Sequence, residues 1–155
     1  MAAEVLARPL ALTRMQRPRP VPPTAGVAAA LLAVCGVRTG SVVLDLTPAA
    51  RMVRPAAAAA GRTGLVFAAS ASAMADGVHG ALRGGIVTHA FAALPGSRLL
   101  TAMRPVLRAG ARVAVTAVDE DAIREAAVVA AYEILHVEHD VDGLVIAGLR
   151  PRTAC

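Results

Sequence analysis

Lysine is missing altogether: all 16 basic residues are arginine, against 11 acidic ones, for a net charge of +5 and a pI near 10.9. Aromatic residues are almost missing too, with one Tyr, two Phe and no Trp in 155 residues. That scarcity removes the stacking platforms on which single-strand nucleic-acid binders lay successive bases, so nucleic acid is not an expected partner. The two cysteines, Cys35 and Cys155, draw neither a disulfide framework nor a metal-ligand spacing, and no metal site is expected. No apolar run approaches the length of a membrane span. A Gly-Lys-Ser/Thr phosphate loop, a nucleophile elbow and paired catalytic carboxylates are also lacking.

What remains is 56% hydrophobic and rich in Ala, Val and Leu, enough for one core in a chain of single-domain length. The abundance of Ala, Arg, Val and Gly matches the coding bias of a GC-rich genome. Arg8, Arg14, Arg17 and Arg19 crowd the first twenty residues beside Pro9, Pro18, Pro20, Pro22 and Pro23. Proline fixes φ and removes donors, so residues 1–24 read as an extended arm and 25–155 as the folded domain. The arm is a solvated tail in the simplest reading, and counterion release is the physics of an anion contact. Arginines ahead of the apolar stretch Ala25–Cys35 imitate a secretory leader. The prolines and the bulk of Val34 argue against one, and a helix explains the same stretch, so a cytoplasmic protein is expected.

The chain then alternates. Thr24 caps a helix Ala25–Val34 that Gly36 stops. Ser41–Leu46 is a continuous apolar run, as in a parallel strand covered on both faces. Pro48 opens a helix over Ala49–Ala60, which Pro55 kinks or divides. Strand Gly64–Ala69 precedes a small helix or loop, Ser70–Leu82. Gly85–Phe91 reads as a strand, Gly96–Val106 as a helix and Ala111–Val118 as a strand. Asp119-Glu120-Asp121 begins a helix Ala122–Ala131. Strands Tyr132–His139 and Leu144–Arg150 meet at Val141-Asp142-Gly143, a hairpin signal. The order predicts an α/β fold: a doubly wound, mostly parallel sheet with a C-terminal antiparallel hairpin.

The stretch Gly36–Leu46, a helix end, a turn and a buried strand closing on Asp45, resembles the opening of a class I S-adenosylmethionine-dependent methyltransferase. Phe91-Ala92-Ala93-Leu94-Pro95 is similar to that family's substrate-side loop, and Leu107–Val115 to the Leu-x-Pro-Gly-Gly entry into its next strand. The closing hairpin matches the family's last two strands. The likeness covers roughly residues 25–152 and rests on order and spacing.

The resemblance implies S-adenosylmethionine as cofactor, with Asp45 below its amino acid moiety and the turn Thr47–Arg51 against it. The family's turn is glycine-rich, which allows close backbone approach; here it reads Thr47-Pro48-Ala49-Ala50-Arg51. A carboxylate that normally ends the second strand and accepts the ribose hydroxyls is replaced by Ala68-Ala69-Ser70, and Asp76 lies several residues on. The expected pocket is bordered by Asp45, Thr47, Ala69, Ala90 and Phe91. His89, placed at the carboxyl end of its strand, is the candidate catalytic base, with a structural histidine as the alternative. His79 lies near the same edge. Methyl transfer to an unknown small-molecule or protein acceptor is the implied activity. A catalytically inactive interaction module of the same fold, or a Rossmann-like nucleotide binder, is the alternative, and a homo- or hetero-oligomer is open.

Overall fold

The computed structural model describes residues 24–153, so most of the arginine arm lies outside the described residues, as does Cys155. Helix α1 (Ala25–Cys35) begins at Thr24, whose Oγ1 accepts from Val27 N. It ends at Gly36, which takes the left-handed φ of 72° that glycine adopts without strain. Strand β1 (Val42–Asp45) follows, then a single 3-10 turn Pro48–Ala50 and helix α2 (Val53–Ala60). The continuous helix expected from Ala49 is therefore divided before Pro55 is reached. Ala49 and Ala50 both have positive φ, at 59° and 50°, and a helix cannot pass through that conformation.

Strand β2 (Leu65–Ala68) leads to the short helix α3 (Ala71–Ala75). Strand β3 runs Val87–Ala93, beginning and ending later than the expected Gly85–Phe91. Helix α4 (Ser97–Met103) gives way to a 3-10 turn at Arg104–Val106, because Pro105 cannot supply the next helical donor. Strand β4 (Leu107–Ala117), helix α5 (Glu120–Ala130) and strands β5 (Tyr132–His139) and β6 (Val145–Pro151) complete the order. Asp119 caps α5 by accepting from Ala122 N at 2.7 Å.

All six strands form one sheet in the order β2-β1-β3-β4-β6-β5, the first four parallel and the last two antiparallel, as the sequence pattern implied. Successive side chains alternate between faces. Val43, Phe91, Ala114 and Ile146 pack under α1 and α2 with Val27, Leu31, Cys35 and Met52. Leu44, Ala90, Val113, Val115 and Ala147 face α3, α4 and α5 with Met74, Leu100, Met103 and Ile123. Cys35 is a buried member of the first layer, its Sγ 3.6 Å from the carbonyls of Ala90 and Arg112. Burial pushes its thiol up to about 12. Among the described residues, no helix is long and apolar enough to cross a membrane.

A core of small residues holds together only if its layers approach closely. Gly148 in β6 makes this possible: a Cβ there would lie 2.9 Å from Val34 Cγ1 of α1. We predict that Gly148→Ala costs about 1–3 kcal/mol of stability by overpacking. Adding Val34→Ala should restore part of the loss, which a double-mutant cycle of urea unfolding will show.

Candidate functional site

The parallel sheet has its switch point between β1 and β3: the chain leaves β1 for β2 on one side and returns to β3 on the other. Open α/β sheets bind ligands outside the carboxyl ends of such strands. Asp45 closes β1 there and is fully buried. Its Oδ1 accepts from Thr47 N at 2.8 Å and Thr47 Oγ1 at 2.6 Å, and its Oδ2 from Met52 N at 2.9 Å. A buried carboxylate demands such donors, so Asp45 dictates the path of the turn that follows. That path runs through Ala49 and Ala50 in left-handed conformation. The turn thus keeps a backbone shape that glycine prefers, although it contains no glycine.

The carboxyl edge carries a pocket of about 180 Å³ lined by Val27 and Leu31 of α1, Ala93 and Leu94 after β3, Thr47, Thr116 and Leu144. The hairpin closes its rim with Asp140 and Asp142, where Asp140 Oδ1 accepts from Asp142 N and Leu144 N. The volume is below the roughly 300–1,000 Å³ of typical ligand sites, so the pocket suits an apolar group rather than a whole nucleoside.

Of the residues expected to border the site, Thr47 lines this pocket. Ala69 stands half-buried just past β2, its N–H bonded to Asp45 O. Ala90 and Phe91 are fully buried in the two core layers and cannot present side chains to a ligand. The strand continues to Ala93, which shifts its carboxyl end past both of them.

The same shift corrects the placement of His89. It sits near the amino end of β3, paired in register with Val43 and Arg112, and lines a different cavity. Ala93 is four residues further along, roughly 13 Å at the rise of a strand. His89 Nδ1 lies 2.8 Å from Thr88 Oγ1. Burial first, then the charges of Arg38 and Arg112, lower its pKa below the ordinary value. His79 is structural, with Nε2 2.8 Å from Ala102 O of α4.

The residues missed from the sequence were Ala93, Leu94, Thr116 and the wall from α1. Ala93 and Leu94 lie inside the Phe91–Pro95 segment, and they reach the site because β3 runs two residues past Phe91. Nothing in the sequence pointed α1 at this edge. Since L-residues pay roughly 1–2 kcal/mol in the left-handed region, Ala49→Gly and Ala50→Gly should each stabilise the fold by about 1 kcal/mol despite glycine's entropy. Urea midpoints at unchanged slope will measure it.

No protein family and no curated protein matches the chain by sequence. Solved structures do match by shape. A SAM-dependent methyltransferase from Aquifex aeolicus superposes with a TM-score of 0.62 at 15% identity, over 79% of this chain and 88% of that one. The precorrin-6y C5,15-methyltransferase of Geobacter metallireducens gives a TM-score of 0.60 at 14% identity, over 86% and 94%. The [4+2]-cyclase SpnF gives 0.58 at 12% identity, over 83% and 81%. Identities this low establish architecture alone, and the architecture is that of the class I methyltransferase fold, a Rossmann-like α/β sheet ending in an antiparallel hairpin.

Proposed function

We propose that this chain is an S-adenosylmethionine-dependent methyltransferase-like protein with a weakened cofactor site and an adjoining pocket for an apolar group of its acceptor. The observation that carries the reading is the Asp45-held turn at the carboxyl end of β1, with Ala49 and Ala50 in glycine-like conformation. When bound, the cofactor supplies an electrophilic methyl group. The chain's own part is positioning, the main protein contribution to such a transfer.

The residues fit the cofactor on one side and not on the other. The turn from Thr47 to Arg51 has the left-handed shape of a glycine-rich turn at Ala49 and Ala50, but carries side chains where the family has none. Asp45 has both oxygens engaged in holding that path. At the end of β2, however, Ala68 and Ala69 carry no acceptor for a diol, and Ser70 is occupied in capping α3 through Ala73 N. Asp76 is engaged elsewhere: it ends α3 and pairs with Arg98 of α4. A missing charged hydrogen bond costs roughly 1.5–3 kcal/mol, about a 10- to 150-fold loss of affinity.

A second reading, a noncatalytic interaction module, draws on the edge strand β2. Among the described residues it has one sheet neighbour, and Leu65 is 55% exposed. Such an edge offers unpaired backbone groups to another chain. SpnF, named as a cyclase, also illustrates that a protein of this shape need not be a methyltransferase.

Calorimetric titration with S-adenosylmethionine and its demethylated product separates the readings. The expected result is saturable binding weaker than micromolar for both, lost in Asp45→Ala once circular dichroism has shown that this variant is folded. Tight binding that survives Asp45→Ala would overturn the account of the site, and no binding at all would favour the interaction module.

A further inference from the structure

A second cavity, of about 660 Å³, opens at the opposite, amino edge of the sheet. Its shape follows from an irregularity in strand pairing. Val87 of β3 faces Leu107 of β4, but His89 faces Arg112, so the intervening Arg108–Ala111 segment bulges from the ladder, with Gly110 at a φ of 80°. The bulge forms one wall, and Gly36 and Arg38 beyond the end of α1 form the other. Arg38, Arg108 and Arg112 are all exposed on this cavity.

Among the described residues no carboxylate lines the cavity, and the ion pairs are formed elsewhere by Arg98, His136 and Arg150. The end of α1 contributes a partial charge of only about −0.5, far less than three guanidinium groups. The floor is equally polar: Thr88 Oγ1 bridges Val42 N at 2.9 Å and Val42 O at 3.1 Å while contacting His89. Among the described residues that line it, no aromatic ring besides the His89 imidazole is present to stack on a base.

We propose that this amino-edge cavity binds a small, soluble, multiply charged phosphorylated compound through Arg38, Arg108 and Arg112. Guanidinium groups match phosphate oxygens by paired, charge-assisted hydrogen bonds, and a recessed cavity of one sign concentrates such a ligand. The cavity is large enough for a ligand of nucleotide size. Recognition rests on its anionic part. This inference is independent of the proposed methyltransferase-like role, since the two cavities share no lining residue.

His89 supplies a built-in reporter. The groups facing it are Arg38 and Arg112, whose charges oppose its protonation, Thr88, and the Gly36 carbonyl, which favours it. A bound polyanion neutralises the arginines, so protonation of His89 becomes easier.

The test is titration of the full chain with pyrophosphate, by calorimetry and by the NMR resonances of His89 assigned through His89→Gln. The expected result is saturable one-to-one binding, with the His89 pKa moving up towards its ordinary value of about 6.5. Arg38→Gln and Arg112→Gln, both at exposed positions, should each weaken binding about tenfold or more. A variant with Arg8, Arg14, Arg17 and Arg19 all changed to Gln should bind as the parent does. No saturable binding, a His89 pKa that does not respond, or binding that follows the arm variant instead would each overturn the proposal. Sedimentation with phosphatidylglycerol vesicles distinguishes the source of the phosphate: vesicle binding that depends on Arg38 and Arg112 would refute a soluble ligand in favour of a membrane headgroup.

Discussion

The buried carboxylate of Asp45 organises the carboxyl edge of the sheet. A charge with no exposed surface persists only when surrounded by donors, and the three that it finds all come from the chain immediately following it. Thr47 supplies two and Met52 the third, so the segment between them must turn back tightly over the end of β1. That demand forces Ala49 and Ala50 into left-handed conformation and delays α2 until Val53. One ionic requirement therefore sets the turn, the start of a helix and the shape of the surface where a ligand would rest.

The second organising constraint is the size of the core side chains. With so few aromatic rings, the layers on either side of the sheet are filled by Ala, Val, Leu and Met. Small side chains bury little area each, so close approach between layers must make up the contacts. At Gly148, α1 comes so near to β6 that a Cβ would meet Val34 Cγ1 at 2.9 Å. Tyr132 stands out as a large buried ring in this setting. Its hydroxyl donates to Leu100 O at 2.6 Å, and Arg104 lies over its face at 5.6 Å. The same Arg104 donates to the carbonyls of Ala131 and Arg152, both at 2.7 Å, tying α4 to the ends of α5 and β6.

The two edges of the sheet differ in chemistry. The carboxyl edge carries a small apolar pocket rimmed by Asp140 and Asp142, and the amino edge a larger cavity faced by three arginines. His89 belongs to the second, although its expected place at the carboxyl end of its strand assigned it to the first. The short segment Gly85–Phe91 held too little information to say where along it the strand began. That start is decided by pairing with β1 and β4, partners remote in sequence, and an error of two residues moves a side chain roughly 7 Å along the strand.

Local sequence was sufficient wherever a short-range interaction decides conformation. Thr24 and Asp119 as helix caps, Gly36 as a helix stop, the Asp142-Gly143 hairpin and the alternation of strands and helices could all be read from neighbours a few residues apart. The class of fold followed from their order. The positive φ of Ala49 and Ala50 was not legible, because alanine alone prefers a helix and only a fully buried Asp45 overrides that preference. Nor was the meeting of α1, β3, β4 and the hairpin around one pocket, or of Arg38, Arg108 and Arg112 around another. Those groupings join residues far apart in the chain, and only the packing of helices on the twisted sheet brings them together.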